Sequence, residues 1–218
     1  MRILEANRRA LAGQSFKVTL EPKAHTYIDE KGRRLPSVSE LIKLFFSHPG
    51  SENFLKKYEK QRVIGTYVHT ATVLQEKGTL NVSILHEGLK PYLVAHRHFL
   101  DNNAIGYKAK DFRSEISLGA PSMFAGTLDR VSEAMIVDYK TGARTEQVRY
   151  QMNAYYALQF LLDGIDRELY AVYLGSDEKY SVDKIEKDEK IVKEIIYAAT
   201  LWHTRIRITK KEDVWEAI

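Results

Sequence analysis

Apolar and polar residues alternate through Phe124-Ala-Gly-Thr-Leu-Asp129-Arg-Val and again through Met135-Ile-Val-Asp138-Tyr-Lys140, on either side of Ser132-Glu133-Ala134. Period-two patterning about a short polar turn predicts two strands joined as a hairpin. With the turn centred on Glu133 and Ala134, Asp129 falls directly opposite Asp138, and Thr127 opposite Lys140. Upstream, Phe16–Leu20 and His25–Asp29 read as strands, with Lys31-Gly32 as a turn signal. Ser37 or Ser39 then caps a helix that opens the apolar-periodic run Val38-Ser-Glu-Leu-Ile. Residues 51–77 carry a helical stripe of Val63, Ile64, Tyr67, Val68, Ala71 and Leu74, which Gly78 stops.

A second helix covers 88–102, and strand-like residues span 105–118 before the hairpin. Val148–Leu162 reads as a helix ending near Gly164, followed by strands at Glu168–Gly175 and Lys179–Lys184. A long helix over roughly 188–206 precedes a charged tail. Helices, mixed sheet and helices in this order predict an α/β sandwich. The 218 residues suit one such domain: strand and helix elements in 1–60, a core at about 61–175, and a closing strand and helix at about 176–218.

Composition narrows the chemistry. With 44% hydrophobic and 28% charged residues the chain is an ordinary globular protein. No apolar run approaches the roughly 20 residues of a membrane span. The start, Met1-Arg-Ile-Leu-Glu-Ala-Asn-Arg-Arg, lacks the apolar stretch of a secretory signal. Its arginines hint at an organellar transit segment, but Glu5 and the early strand favour a cytoplasmic protein. The absence of cysteine excludes disulfides, thiolate catalysis, cysteine-ligated zinc and cysteine-held iron–sulfur clusters. No Walker-type Gly-x-x-x-x-Gly-Lys is present, so the chain carries no P-loop for nucleotide hydrolysis. The net charge of +4 favours an anionic partner only weakly, so any case for one rests on particular residues.

Two carboxylates facing each other across a hairpin repel, and a sequence selected only for stability avoids them. A hard divalent cation turns that repulsion into coordination, since Mg²⁺ is held by one or two carboxylates together with substrate phosphate oxygens. Lys140 leaves the same strand face as Asp138, about 7 Å further along. The plain alternative is a surface hairpin with solvated acids and a neighbouring lysine.

Gly126-x-x-Asp129 followed by Asp138-x-Lys140 resembles the PD-(D/E)xK nuclease superfamily, in particular its RecB-like branch. Gly65-Thr-Tyr-Val-His69 is similar to that branch's upstream helical histidine motif. Glu115, at the end of a predicted strand, matches its acidic position before the core, and Gln151-Met-Asn-Ala-Tyr155 its Gln-x-x-x-Tyr motif. Each motif alone is weak; the four in order over 65–155 are specific. Leu128 stands in place of the proline in the superfamily name, a departure common in this branch. His25-x-Tyr with Leu35-Pro-Ser37-Val-Ser39 also resembles the N-terminal signature of standalone phage-type and mitochondrial genome-maintenance exonucleases.

The resemblance implies a restriction-endonuclease-like core, a central mixed β-sheet flanked by helices. It implies one or two Mg²⁺ or Mn²⁺ ions held by Asp129, Asp138, the Tyr139 carbonyl and His69, with the imidazole favouring Mn²⁺. Lys140 either holds or deprotonates the attacking water, or stabilises charge in the transition state. Glu115 either ligates a second ion, or positions water or a basic residue, or simply pairs with a surface lysine. Gln151 and Tyr155 share a helix face and either touch a DNA strand, orient the ligands or, for Tyr155, pack in the core. Ser37, Ser39 and Thr141 are the remaining DNA candidates, the serines doubling as helix caps. Arg144, Arg149 and Lys108 are candidate phosphate contacts or ordinary solvated side chains.

The function implied is a metal-dependent exonuclease on single- or double-stranded DNA, serving recombination, repair or replication and leaving 5′-phosphate and 3′-hydroxyl ends. A recombination or helicase partner and an oligomer are compatible with it. The alternatives are an inactive DNA-binding subunit of a repair complex, a structure-selective endonuclease, and a metal hydrolase of small phosphorylated substrates.

Overall fold

The structure, a computed structural model, describes residues 2–21, 26–46 and 52–215, with 52–60 and 206–215 described as backbone only. In chain order the elements are α1 (Arg2–Ala10), β1 (Val18–Glu21), β2 (Thr26–Asp29), β3 (Arg34–Leu35), α2 (Val38–Lys43), α3 (Glu52–Glu76) and α4 (Lys90–Asp101). The hairpin and sheet follow: β4 (Arg113–Gly119), β5 (Ala125–Val131), β6 (Met135–Lys140), α5 (Glu146–Asp163), β7 (Glu168–Leu174), β8 (Tyr180–Ile185) and α6 (Glu189–Trp215).

β4 to β8 form one sheet in the order β4-β5-β6-β7-β8. All neighbours are antiparallel except β6 and β7, which α5 joins as a parallel crossover. This is the mixed sheet flanked by helices that the sequence pattern predicts. Alternation along β6 and β7 sends side chains to two cores. Ile136, Leu169, Ala171 and Tyr173 meet α1, α2, α5 and α6 on one face. Val137, Tyr139, Tyr170, Val172 and Leu174 meet α3 and α4 on the other. A separate small sheet, β1-β2-β3, is fastened to β5: the Ala125 N–H donates to the Pro36 carbonyl at 2.9 Å. That bond sets the start of α2 beside the start of β5.

Several expectations change. Strand-like 105–118 is strand only from Arg113; before it the chain makes 3-10 turns at Ala104–Gly106 and Ala109–Asp111. Phe16 precedes β1 rather than opening it, and His25 lies outside the described residues. Helix α1 and strand β3 were not predicted. Leu4 of α1 is buried and Ile3 packs against the same core, while the rest of this short helix is mostly polar. The expected charged tail is backbone of α6 as far as Trp215. The expected stripe on α3 also fails in part: Val63, Tyr67 and Leu74 are exposed, whereas Val68, Ala71 and Thr72 face the sheet. Among the described residues no helix is long and apolar enough to cross a membrane.

Candidate active site

The hairpin has the expected register, with Arg130 opposite Val137 and Val131 opposite Ile136. Its backbone ladder ends there, so Asp129 and Asp138 stand just beyond the last paired residues, and Thr127 is not paired with Lys140 as expected. Thr127 pairs instead with Ser117 of β4, their hydroxyls 2.7 Å apart. In place of a ladder bond, the Tyr139 N–H donates to Asp129 Oδ2 at 2.9 Å. The β4–β5 ladder runs from Ser114–Arg130 to Ile116–Leu128 and skips the pair between them, Glu115 and Asp129. Glu115 lies mid-strand rather than at a strand end, at φ 52°, a left-handed backbone that a residue with a side chain rarely adopts. Glu115, Asp129 and Asp138 therefore lie abreast on three adjacent strands. All three line one cleft of about 850 Å³ between α3, α2 and the start of α5.

Other side chains close on this row. His69 of α3 donates from Nδ1 to Asp129 Oδ2 at 3.0 Å. Lys140 forms an ion pair with Asp138 and donates to Gln151 Oε1 at 2.7 Å. Gln151 is itself held, its amide donating to the Tyr155 hydroxyl at 2.8 Å. The two glycines of the sequence motifs make this approach feasible. A Cβ at Gly65 would lie 3.3 Å from Thr141 Oγ1, and one at Gly126 would lie 3.0 Å from Tyr155 Cε1 and 3.1 Å from Val38 Cγ2. Glycine there lets α3, α5 and α2 pack against the strands that carry the acids.

Burial and charge divide the carboxylates. Burial opposes ionisation of Asp129, but the His69 charge and hydrogen bond, Lys140 and the Tyr139 N–H outweigh it and hold its carboxyl below the ordinary value. At Asp138 burial prevails: with the Asp129 charge added, it pushes the carboxyl up despite Lys140. Desolvation and then Asp129 raise Glu115 at the cleft rim. Burial works against protonation of His69, yet Asp129 raises its pKa overall. Like-charged acids so arranged titrate apart unless a cation joins them.

Among the described residues no group of three or more His, Asp or Glu side chains forms a ready-made metal shell. The donor set nevertheless suits a hard divalent cation, which needs only one or two protein carboxylates and keeps waters or phosphate oxygens for the rest. Asp138 Oδ2 is buried, touches the Lys140 ammonium and receives no aligned hydrogen bond. It is the kind of oxygen a cation would satisfy.

All five DNA candidates line the cleft, Ser37 among them. The Ser37 hydroxyl caps α2 by accepting from the Glu40 N–H at 3.1 Å, in a capping box that Glu40 completes, and the residue is buried. Ser39 is exposed, and it lines the cleft together with Thr141, Gln151 and Tyr155. Tyr155 is buried as well as cleft-lining, so its core and site readings both hold. Arg144 and Arg149 are held by their own surface, Arg144 by Asp183 and Arg149 by Glu146 and Asp188. A shallower groove of about 570 Å³ beside them has its arginines taken up in those pairs.

Sequence reading missed the charged group behind the acids. Glu76, His96, Arg130 and Tyr107 share one buried network under β5 and β6. Its signal was present: Arg130 is an arginine within a strand otherwise patterned for burial, and a fully buried arginine requires an acidic partner.

No protein-family model matches the sequence, and neither does any curated protein. Among solved structures, an alkaline exonuclease from Laribacter hongkongensis is similar at 14% identity and TM-score 0.49, over 83% of this chain and 92% of that one. A putative exonuclease from Eubacterium rectale is similar at 13% identity and TM-score 0.49, over 70% of this chain and 68% of that one. At that distance no residue role passes from those proteins to this chain.

Proposed function

We propose that this chain is a metal-dependent deoxyribonuclease, acting as an exonuclease in DNA recombination, repair or replication and leaving 5′-phosphate and 3′-hydroxyl ends. The observation that supports it most is the convergence of Glu115, Asp129, Asp138 and Lys140 on one cleft. A fold selected for stability alone has little use for three acids abreast.

Asp129 and Asp138 would hold a Mg²⁺ or Mn²⁺ ion, with the Tyr139 carbonyl and His69 beside them. Such an ion, when bound, polarises a phosphate and acidifies water. The chain's own side chains supply the rest. Gln151, pinned by Tyr155, aims the Lys140 ammonium into the cleft, where it faces negative charge growing on phosphate oxygens. Glu115, with its raised pKa, stands at the rim as a proton acceptor or as a ligand to a second ion. Ser39 and Thr141 offer hydroxyls to the strand backbone, which position DNA without reading its sequence.

End-labelled single-stranded, duplex and circular DNA, each incubated with Mg²⁺ and then Mn²⁺, test this reading. Linear substrates should be degraded and circles spared. Asp138→Ala and Lys140→Ala should each abolish cleavage while circular dichroism remains native. Undiminished digestion by both variants ends the assignment.

A further inference from the structure

Behind the acid row, a single buried carboxylate reaches both strands that carry Asp129 and Asp138. Glu76, at the end of α3, accepts from Arg130 Nε at 2.7 Å through Oε2. Its other oxygen accepts from the Tyr139 and Tyr107 hydroxyls, both at 3.0 Å. His96 Nε2 lies 3.1 Å from that same oxygen, and His96 Nδ1 lies 2.6 Å from Gln75 Oε1. The side chains of Arg130 and His96 are 0% exposed and that of Glu76 5%.

Two of these contacts run directly into the site. Arg130 Nη1 donates to the backbone carbonyl of Asp129 at 2.8 Å. Tyr139 follows Asp138 in β6, and its N–H is the one that holds Asp129 Oδ2. Glu76 also lies two helical turns beyond His69, on the same face of α3.

We propose that Glu76 is a positioning residue, fixing from behind the sheet the separation of Asp129 and Asp138 at which they grip a divalent cation. The proposal rests on the metal-dependent reading above. At the level of these acids no ladder pairing sets that separation, and the Tyr139 N–H bond to Asp129 Oδ2 stands in for one: the β5–β6 ladder ends at Arg130–Val137, and the β4–β5 ladder skips Glu115–Asp129. Two carboxylates at an open ladder end push their strands apart. One acid tied to β5 through Arg130 and to β6 through Tyr139 opposes that push. Stability alone does not account for the network, since well-packed apolar residues commonly replace a buried ion pair at no loss.

Tyr139 and Tyr107 provide the test. Each donates one hydroxyl to the same Glu76 oxygen at the same length, but only Tyr139 lies on a ligand-bearing strand. Mn²⁺ is titrated calorimetrically into metal-free wild type, Tyr139→Phe, Tyr107→Phe and Asp129→Ala, well below their unfolding temperatures. Tyr139→Phe should bind Mn²⁺ about tenfold more weakly, as removal of a partner behind a metal ligand commonly does. Tyr107→Phe should match wild type in affinity, although it too takes a hydroxyl from Glu76, while Tyr139→Phe, which also loses the 3.1 Å contact with His96 Nε2, should lose the more thermal stability. Equal affinities in the two tyrosine variants, whether both unchanged or both reduced, would overturn the positioning role alone. Wild-type binding that is absent, or that Asp129→Ala leaves intact, would overturn the metal site and the positioning role with it.

Discussion

Lys140 turns back along β6 and pairs with Asp138, so an ammonium group covers the carboxylate oxygen that a cation would take. The lysine thereby stands in for the ion and keeps the buried acid from lying uncompensated. Its removal should separate two properties that usually fall together. Lys140→Met is expected to abolish cleavage, because no ammonium then faces the phosphate charge beside the ion, yet to bind Mn²⁺ more tightly at pH 8. Opposing charges a few ångströms apart at a partly buried site are worth several kcal/mol before screening, so the gain should be about tenfold or more. Calorimetric titration and a digestion assay on the same protein decide it; weaker binding together with lost activity would show that Lys140 helps to form the site.

Gly126 lies where β5, α2 and α5 meet, and an added methyl would press on Tyr155 and Val38 at once. Gly126→Ala should destabilise the fold by about 1–3 kcal/mol, the usual cost of overpacking. It should also slow cleavage, because Tyr155 holds Gln151 and Gln151 holds Lys140. Chemical denaturation and turnover measured together test it. An alanine variant with native stability and full turnover would show that the neighbours yield freely.

The hairpin register was legible because a two-residue turn between two apolar-rich runs leaves one natural pairing. The break beside Asp129 was not, since nothing in Arg113-Ser-Glu-Ile announces that Glu115 takes a left-handed backbone. Helix α3 misled for a related reason. Periodicity finds apolar stripes, and here the sheet-facing side of the helix is carried partly by Thr72 and Glu76, leaving Tyr67 and Leu74 outside. His69, Gln151 and Tyr155 were found through their motifs, whereas Glu76 and His96 acquire their meaning only when α3 and α4 meet under Tyr139.

Asp163 and Arg167 fasten the end of α5 to the hairpin turn. Arg167 donates to both Asp163 oxygens, at 2.9 and 2.8 Å, and to the Ser132 carbonyl at 2.6 Å. Partial burial would raise the Asp163 carboxyl, but the Arg167 hydrogen bonds and the Ile165 N–H prevail and lower it from 3.8. A depressed folded pKa means that the unfolded chain binds the proton first. The stabilisation is therefore present above the unfolded value near 3.8 and is lost as pH falls through the lower folded value. Asp163→Asn should cost about 2 kcal/mol at pH 7, below the usual loss for a fully buried pair because Asp163 is partly exposed. Urea midpoints of the two proteins should converge as pH falls through the lowered folded value. A gap that stays constant down to that pH would place the stabilisation elsewhere than in the ionised pair.

Gln159 lies fully buried on α5, and neither its amide nitrogen nor its carbonyl oxygen has a hydrogen-bond partner. A buried polar group left unpaired costs about 1–3 kcal/mol, whereas an apolar group of like shape avoids that cost. Methionine matches glutamine in length, lacks its forked end and adapts to irregular gaps. Gln159→Met should therefore raise stability by about 1–3 kcal/mol, or several degrees in melting temperature for a chain of this size. Because Gln159 does not line the cleft, turnover should not change. Calorimetric unfolding measures the gain, and a lower melting temperature would mean that the amide meets a buried water whose loss methionine cannot offset.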